Sequence, residues 1–148
     1  MTPEPTSSPT AAPAAAPSAA TAFWSRLSQG EQLALAGAAT LVVIGNWLLA
    51  DLLGLGGAPI EVELAAAEIA LLIYARAMKP GTTWPIPYAM ILGGTAAVLV
   101  IPTIGDILET FRNTSTLDGG LLLGLLVNWI AALAVGVGAW MVWRSDSR

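Results

Sequence analysis

The chain has 148 residues, of which 55% are hydrophobic and only 11% charged, with a net charge of −4. A soluble domain carries about a quarter charged residues, so an ordinary soluble fold is excluded on composition. The acidic balance leaves no basic footprint for nucleic acid. The lack of Cys and His removes disulfides, thiolate chemistry, typical zinc sites and the usual neutral-pH general base.

Residues 1–22 contain five prolines among Ala, Ser and Thr, and Glu4 is the single charged side chain before Arg26. This composition cannot bury enough surface to fold, and it predicts a disordered, partly extended Pro/Ala-rich tail. A secretory signal would need a basic region followed by an apolar one, and neither is present. A ligand for a proline-recognition domain is the functional alternative for this stretch. It lacks the basic residues such ligands often carry.

Four apolar stretches follow, at about 32–53, 60–79, 86–108 and 119–143. An apolar helix needs about 20 residues to cross a bilayer core of roughly 30 Å, so the spacing predicts four spans over residues 23–148. Ser28 and Glu31 form a capping-box pattern just before the first stretch. Gly54, Gly56 and Gly57 predict a tight outer turn. Pro59 with Glu61 and Glu63 suits a helix start, where acids complement the dipole. The second stretch is the least apolar, with Glu61, Glu63 and Glu68 towards one end and Arg76 and Lys79 at the other.

Residues 79–87, KPGTTWPIP, read as a rigid inner loop. Pro102 is expected to end or kink the third helix. Beyond it, Ile104, Ile107, Leu108 and Phe111 share one face, with Asp106, Glu109 and Arg112 opposite. That pattern predicts a short amphipathic helix on the outer interface. Asn113-Thr114-Ser115 is formally a glycosylation sequon, a triplet common by chance. With four spans, Arg26, Arg76, Lys79, Arg144 and Arg148 fall on one side and Arg112 on the other. The positive-inside rule then puts both termini in the cytoplasm. Trp24, Trp84, Trp140 and Trp143 gather at the same interface, as aromatic anchors do. No Lys/Arg cluster is expected to bind anionic lipid heads.

Two Asn-Trp pairs, Asn46-Trp47 and Asn128-Trp129, sit in the first and fourth helices. Asn46, Asn128, Glu68 and Thr95 are expected at a similar depth, forming one polar layer. An intramembrane carboxyl there reads as a proton or cation site. The plainer reading is interhelical hydrogen bonding, worth about 0.6 kcal/mol per bond. Gly93 and Ala97, and Gly120 and Gly124, follow a small-xxx-small spacing that predicts close helix seams, within the chain or between copies. The carboxylates Asp106, Glu109 and Asp118 could meet on the outer surface, but a solvated interfacial face is the ordinary explanation.

The segment Trp24-Ser25-Arg26-Leu27-Ser28-Gln29-Gly30-Glu31, running straight into an apolar helix, resembles the opening of certain small, uncharacterised bacterial membrane proteins. These have a juxtamembrane L-S-x-G-E stretch and about four helices, and the resemblance implies no activity. Small four-helix multidrug transporters place an essential Glu in the first helix. The first apolar stretch here, residues 32–53, has none.

The expectation is therefore an all-α, polytopic four-helix transmembrane bundle in a bacterial cytoplasmic membrane, non-enzymatic and without cofactors. Its expected partners are the bilayer and a second copy or another membrane protein, in a structural, assembly or accessory role. The alternative is a small proton- or cation-coupled transporter or channel subunit using Glu68.

Overall fold

The computed structural model describes residues 18–49, 60–113 and 119–146, and these are helical apart from short connections. Helix α1 (Ala19–Trp24) is capped by Ser18, whose hydroxyl accepts from the Thr21 amide at 3.2 Å. It lies partly inside the stretch expected to be disordered; residues 1–17 of that stretch fall outside the described residues. Phe23 packs against Tyr74 at 6.0 Å between ring centroids, which seats α1 on the second long helix, Ile60–Met78.

The capping box forms as expected. The Ser28 amide donates to Glu31 Oε2 at 2.8 Å, and the Glu31 amide donates to Ser28 Oγ at 3.3 Å. Two orphan donors are satisfied, and α2 (Gln29–Leu49) starts there. Its second half, Thr40–Leu49, is wound as a π-helix. Helix α3 (Ile60–Met78) ends in a tight turn with Pro80 and Gly81 at its centre. Gly81 has φ +94°, and the Thr82 amide donates back to Lys79 O at 3.3 Å. Pro followed by a positive-φ Gly is the pattern of a type II turn. Helices α4 (Tyr88–Asn113) and α5 (Gly119–Asp146) complete the chain.

Helix α4 runs through Pro102 without ending, so the separate amphipathic helix expected beyond that residue is not formed. A proline removes one backbone donor, here the one that would reach Val98 O. Thr103 is buried and donates to Leu99 O at 2.8 Å in the same turn. Ile107 is buried in continuation of the same packing face, while Leu108 and Phe111 stay exposed. The glycine turn expected at 54–57 and the sequon beyond Asn113 lie outside the described residues.

Arg76 near the end of α3 reaches Glu31 at the start of α2 and Asp146 at the end of α5. Its guanidinium also lies 4.2 Å from the ring centre of Tyr88, the first residue of α4. At the other end, the Trp47 indole donates to Glu63 at 2.9 Å, joining the end of α2 to the start of α3. The four long helices therefore run alternately up and down. Leu41, Ile69, Leu92, Leu99 and Val135 lie fully buried among them.

The tightest seam joins α2 to α5. A Cβ on Gly138 would come within 2.5 Å of Ala34 N and 2.6 Å of Gly30 O. One on Gly37 would come within 2.7 Å of Ala131 O. Glycines at these positions let backbone meet backbone. Gly124 is also buried on α5, and Gly120 is half-buried. Gly93 and Ala97 make no such seam: nothing lies within 4 Å of a Cβ at Gly93. They line an outward groove of about 470 Å³ with Gly136, Trp140 and Trp143.

The outer surface is as apolar as the interior. Leu71 and Ile101 are each 68% exposed, and Leu64, Leu126 and Ile130 are exposed alongside them. Surfaces of this kind are made to be covered by lipid or protein. Three helices, Gln29–Leu49, Tyr88–Arg112 and Gly119–Asp146, are long and apolar enough to cross a bilayer. Helix α3 carries Glu61, Glu63, Glu68 and Arg76 and does not qualify on composition.

Candidate functional site: a polar cleft at one end of the bundle

The chemistry-bearing side chains concentrate where four helix ends meet. Glu31 is buried, yet each of its oxygens has partners. Oε2 accepts from the Ser28 amide and hydroxyl at 2.8 Å each. Oε1 accepts from the Tyr88 hydroxyl at 3.1 Å and faces Arg76 Nε at 3.7 Å. A helix cap has thus been drawn into a buried network. The capping box explains why Glu31 is at this position, and the fold explains why it is buried.

Arg76 is shared between two carboxylates and an aromatic face. Its two terminal nitrogens reach the two oxygens of Asp146 at 3.2 and 3.4 Å. That is the fork-on-carboxylate geometry that a planar guanidinium favours. Its central carbon lies over Tyr88, in cation–π range. Arg76 therefore connects α3 to each of the other long helices.

Beside this network opens a cleft of about 810 Å³. Its walls carry Arg26, Arg76, Lys79, Glu31 and Asp146, with Trp84 and Tyr88 as aromatic surfaces. Trp84 packs on Tyr88 at 5.7 Å between centroids. The type II turn at Pro80–Gly81 fixes the course of the chain between Lys79 and Trp84. Both carboxylates are engaged by Arg76. Among the described residues, the side chains of Arg26 and Lys79 have no hydrogen-bond or ion-pair partner.

The polar layer expected in the middle of the bundle is dispersed. Thr95 is buried and donates to its own helix, to Ile91 O at 3.1 Å. Asn128 lies against Gly45, so closely that a Cβ on Gly45 would clash with its amide oxygen. Asn46 Nδ2 and Asn128 Oδ1 are buried without a hydrogen-bond partner among the described residues. Glu68 is exposed on the outer face of α3, between exposed Leu64 and Leu71. Glu68 is thus turned away from the bundle interior, which holds Thr95 and the amides. Depth along a helix can be counted from sequence, but the face a side chain occupies depends on which neighbours the helix finds.

Of the three carboxylates considered together, Asp106 and Glu109 line a depression with Arg112, and Asp118 lies outside the described residues; no group of metal-binding side chains occurs among those described. The cleft at the opposite end escapes sequence reading because its cations come from separate elements. Arg26 precedes α2, Arg76 lies in the last turn of α3 and Lys79 follows it. The usable signal was the sorting of positive charges to one side. No family model, curated protein or solved structure matches this chain.

Proposed function

We propose that the protein is a four-span integral protein of a bacterial cytoplasmic membrane, with both termini cytoplasmic. In this reading it performs no catalysis and acts through helix–helix contacts in a structural, assembly or accessory role. Three helices of sufficient length and apolarity support membrane residence. The alternating order of the four long helices supports counting α3 as the fourth span. At 1.5 Å per residue its 19 residues reach about 28 Å, close to the bilayer core.

The observation that carries the contact role is the position of Glu68. It stands on an outward face with Leu64 and Leu71, which are 63% and 68% exposed. A charged side chain near the bilayer centre costs about 2.5–3.5 kcal/mol on insertion scales. A neighbouring helix that hydrogen-bonds the carboxyl relieves that cost. The occupant of the face is a second copy or another membrane protein.

The absence of native Cys makes crosslinking from single positions unambiguous. Leu64→Cys and Leu71→Cys are expected to form adducts of defined mass in intact membranes, and Leu133→Cys on α5 is not. Absence of adducts at both α3 positions would remove the contact role. A proton- or cation-coupled transporter is the rival, and it requires neighbouring copies to enclose Glu68. Flux in proteoliposomes that vanishes in a folded Glu68→Gln would establish that rival instead.

A further inference from the structure

We infer that the cleft at the Arg76 end of the bundle binds a phosphate group, held by Arg26 and Lys79. The inference does not depend on the contact role of α3.

Three cations face two carboxylates in this cleft, and both carboxylates are already bonded to Arg76. Arg76 in turn hydrogen-bonds Asp146 through both terminal nitrogens, pairs with Glu31 at 3.7 Å and lies against the Tyr88 ring. Its part is to occupy the two acids, so that neither competes for the remaining cations. Three cations against two carboxylates leave the cleft with a net charge of +1, and among the described residues the side chains of Arg26 and Lys79 stand without a partner on its walls. Guanidinium supplies a planar donor fork and ammonium a compact point charge, the pair of groups most used for phosphate oxygens.

The volume, about 810 Å³, is within the range of small-molecule sites. The positions of both cations are set by local structure. The Gln32 amide donates to Trp24 O at 2.9 Å, which ties down the connection that carries Arg26. Lys79 begins the turn that the Thr82 amide and hydroxyl close on its carbonyl, at 3.3 and 3.0 Å. Trp84 in the wall, with Trp140 and Trp143 at the same end of the bundle, suits a lipid–water boundary. The phosphate can therefore come from an anionic lipid headgroup or from the aqueous phase.

The test uses the full chain purified in a neutral detergent. Thermal unfolding is followed with added phosphatidylglycerol, with phosphatidylcholine and with inorganic phosphate. The wild type is expected to gain several degrees in Tm with phosphatidylglycerol and little with phosphatidylcholine. Arg26→Gln and Lys79→Gln should each weaken binding by about tenfold, and the double variant should lose the shift. Arg112→Gln removes the same charge at the opposite end and should keep it. A shift with inorganic phosphate that the double variant loses assigns the site to a soluble phosphate compound. A shift confined to phosphatidylglycerol assigns it to a lipid head. Should the double variant fail to fold, native mass spectrometry of the two single variants counts bound phosphatidylglycerol directly. No shift in the wild type with either phosphate source, or one that survives loss of both cations, overturns the inference.

Discussion

At the scale of single residues, two glycines of similar sequence setting have opposite roles. Gly138 faces the backbone of α2, and a side chain there would strike Ala34 N and Gly30 O, which cannot rotate away. Gly138→Val is expected to cost at least about 2 kcal/mol, read as a fall in Tm in detergent. Gly93 faces open space, so Gly93→Ala should be neutral or stabilising by up to about 1 kcal/mol, from helix propensity alone. Finding the two equally disruptive would refute the α2–α5 seam. Arg76 shows the same dependence on surroundings. Arg76→Gln leaves Glu31 its Ser28 and Tyr88 bonds but removes the cation that joins four helices. A loss of about 1–2 kcal/mol is expected, less than for a fully buried pair because the guanidinium is 37% exposed. Unfolding in low and high salt checks it, since the contribution of the exposed Asp146 pair should shrink with screening.

At the scale of elements, α2 and α4 each depart from what their residues suggest. A π-helix as long as Thr40–Leu49 is uncommon, and it coincides with the insertion of Asn128 against Gly45. Gly45→Ala should displace the Asn128 amide and destabilise the bundle by about 1 kcal/mol. Asn128→Ala removes the obstruction, so the double variant should recover most of the loss, and a double-mutant cycle measures that coupling. Additive losses would mean that the two residues do not meet. In α4, Pro102 sits within an unbroken helix. Pro102→Ala should leave the helical content by circular dichroism unchanged and move stability by no more than about 1 kcal/mol. A clear gain in helix would mean that the helix does end at Pro102.

At the scale of the whole molecule, the alternating helices place Ser25 and Thr82 at one end and Gly119 at the other. Membrane-impermeant thiol labelling of Ser25→Cys, Thr82→Cys and Gly119→Cys in oriented vesicles tests this against the bilayer. Four spans require Ser25 and Thr82 to react from the same side and Gly119 from the opposite one. Labelling of Ser25 and Thr82 from opposite sides would mean that α3 does not cross. The positive charges make the same distinction: Arg26, Arg76, Lys79 and Arg144 cluster at one end of the fold, while Arg112 stands near the other.

Properties that depend on sequence position alone were legible in the chain. The number of long helices among the described residues, the capping box at Ser28 and Glu31, the loop at 79–87 and the charge asymmetry follow from nearest-neighbour chemistry or from counting residues. The face each side chain occupies was decided by packing. Glu68 lies midway along α3 but points outward. Gly93 has the spacing of a seam but borders a groove, while Gly138 forms the seam. Pro102 carries the local signal of a helix end and is overridden by the packing around it. The basic cleft is the clearest case, because Arg26, Arg76 and Lys79 are distant or unremarkable along the chain. They become one site only when the ends of four helices meet, and that meeting is set by contacts between segments.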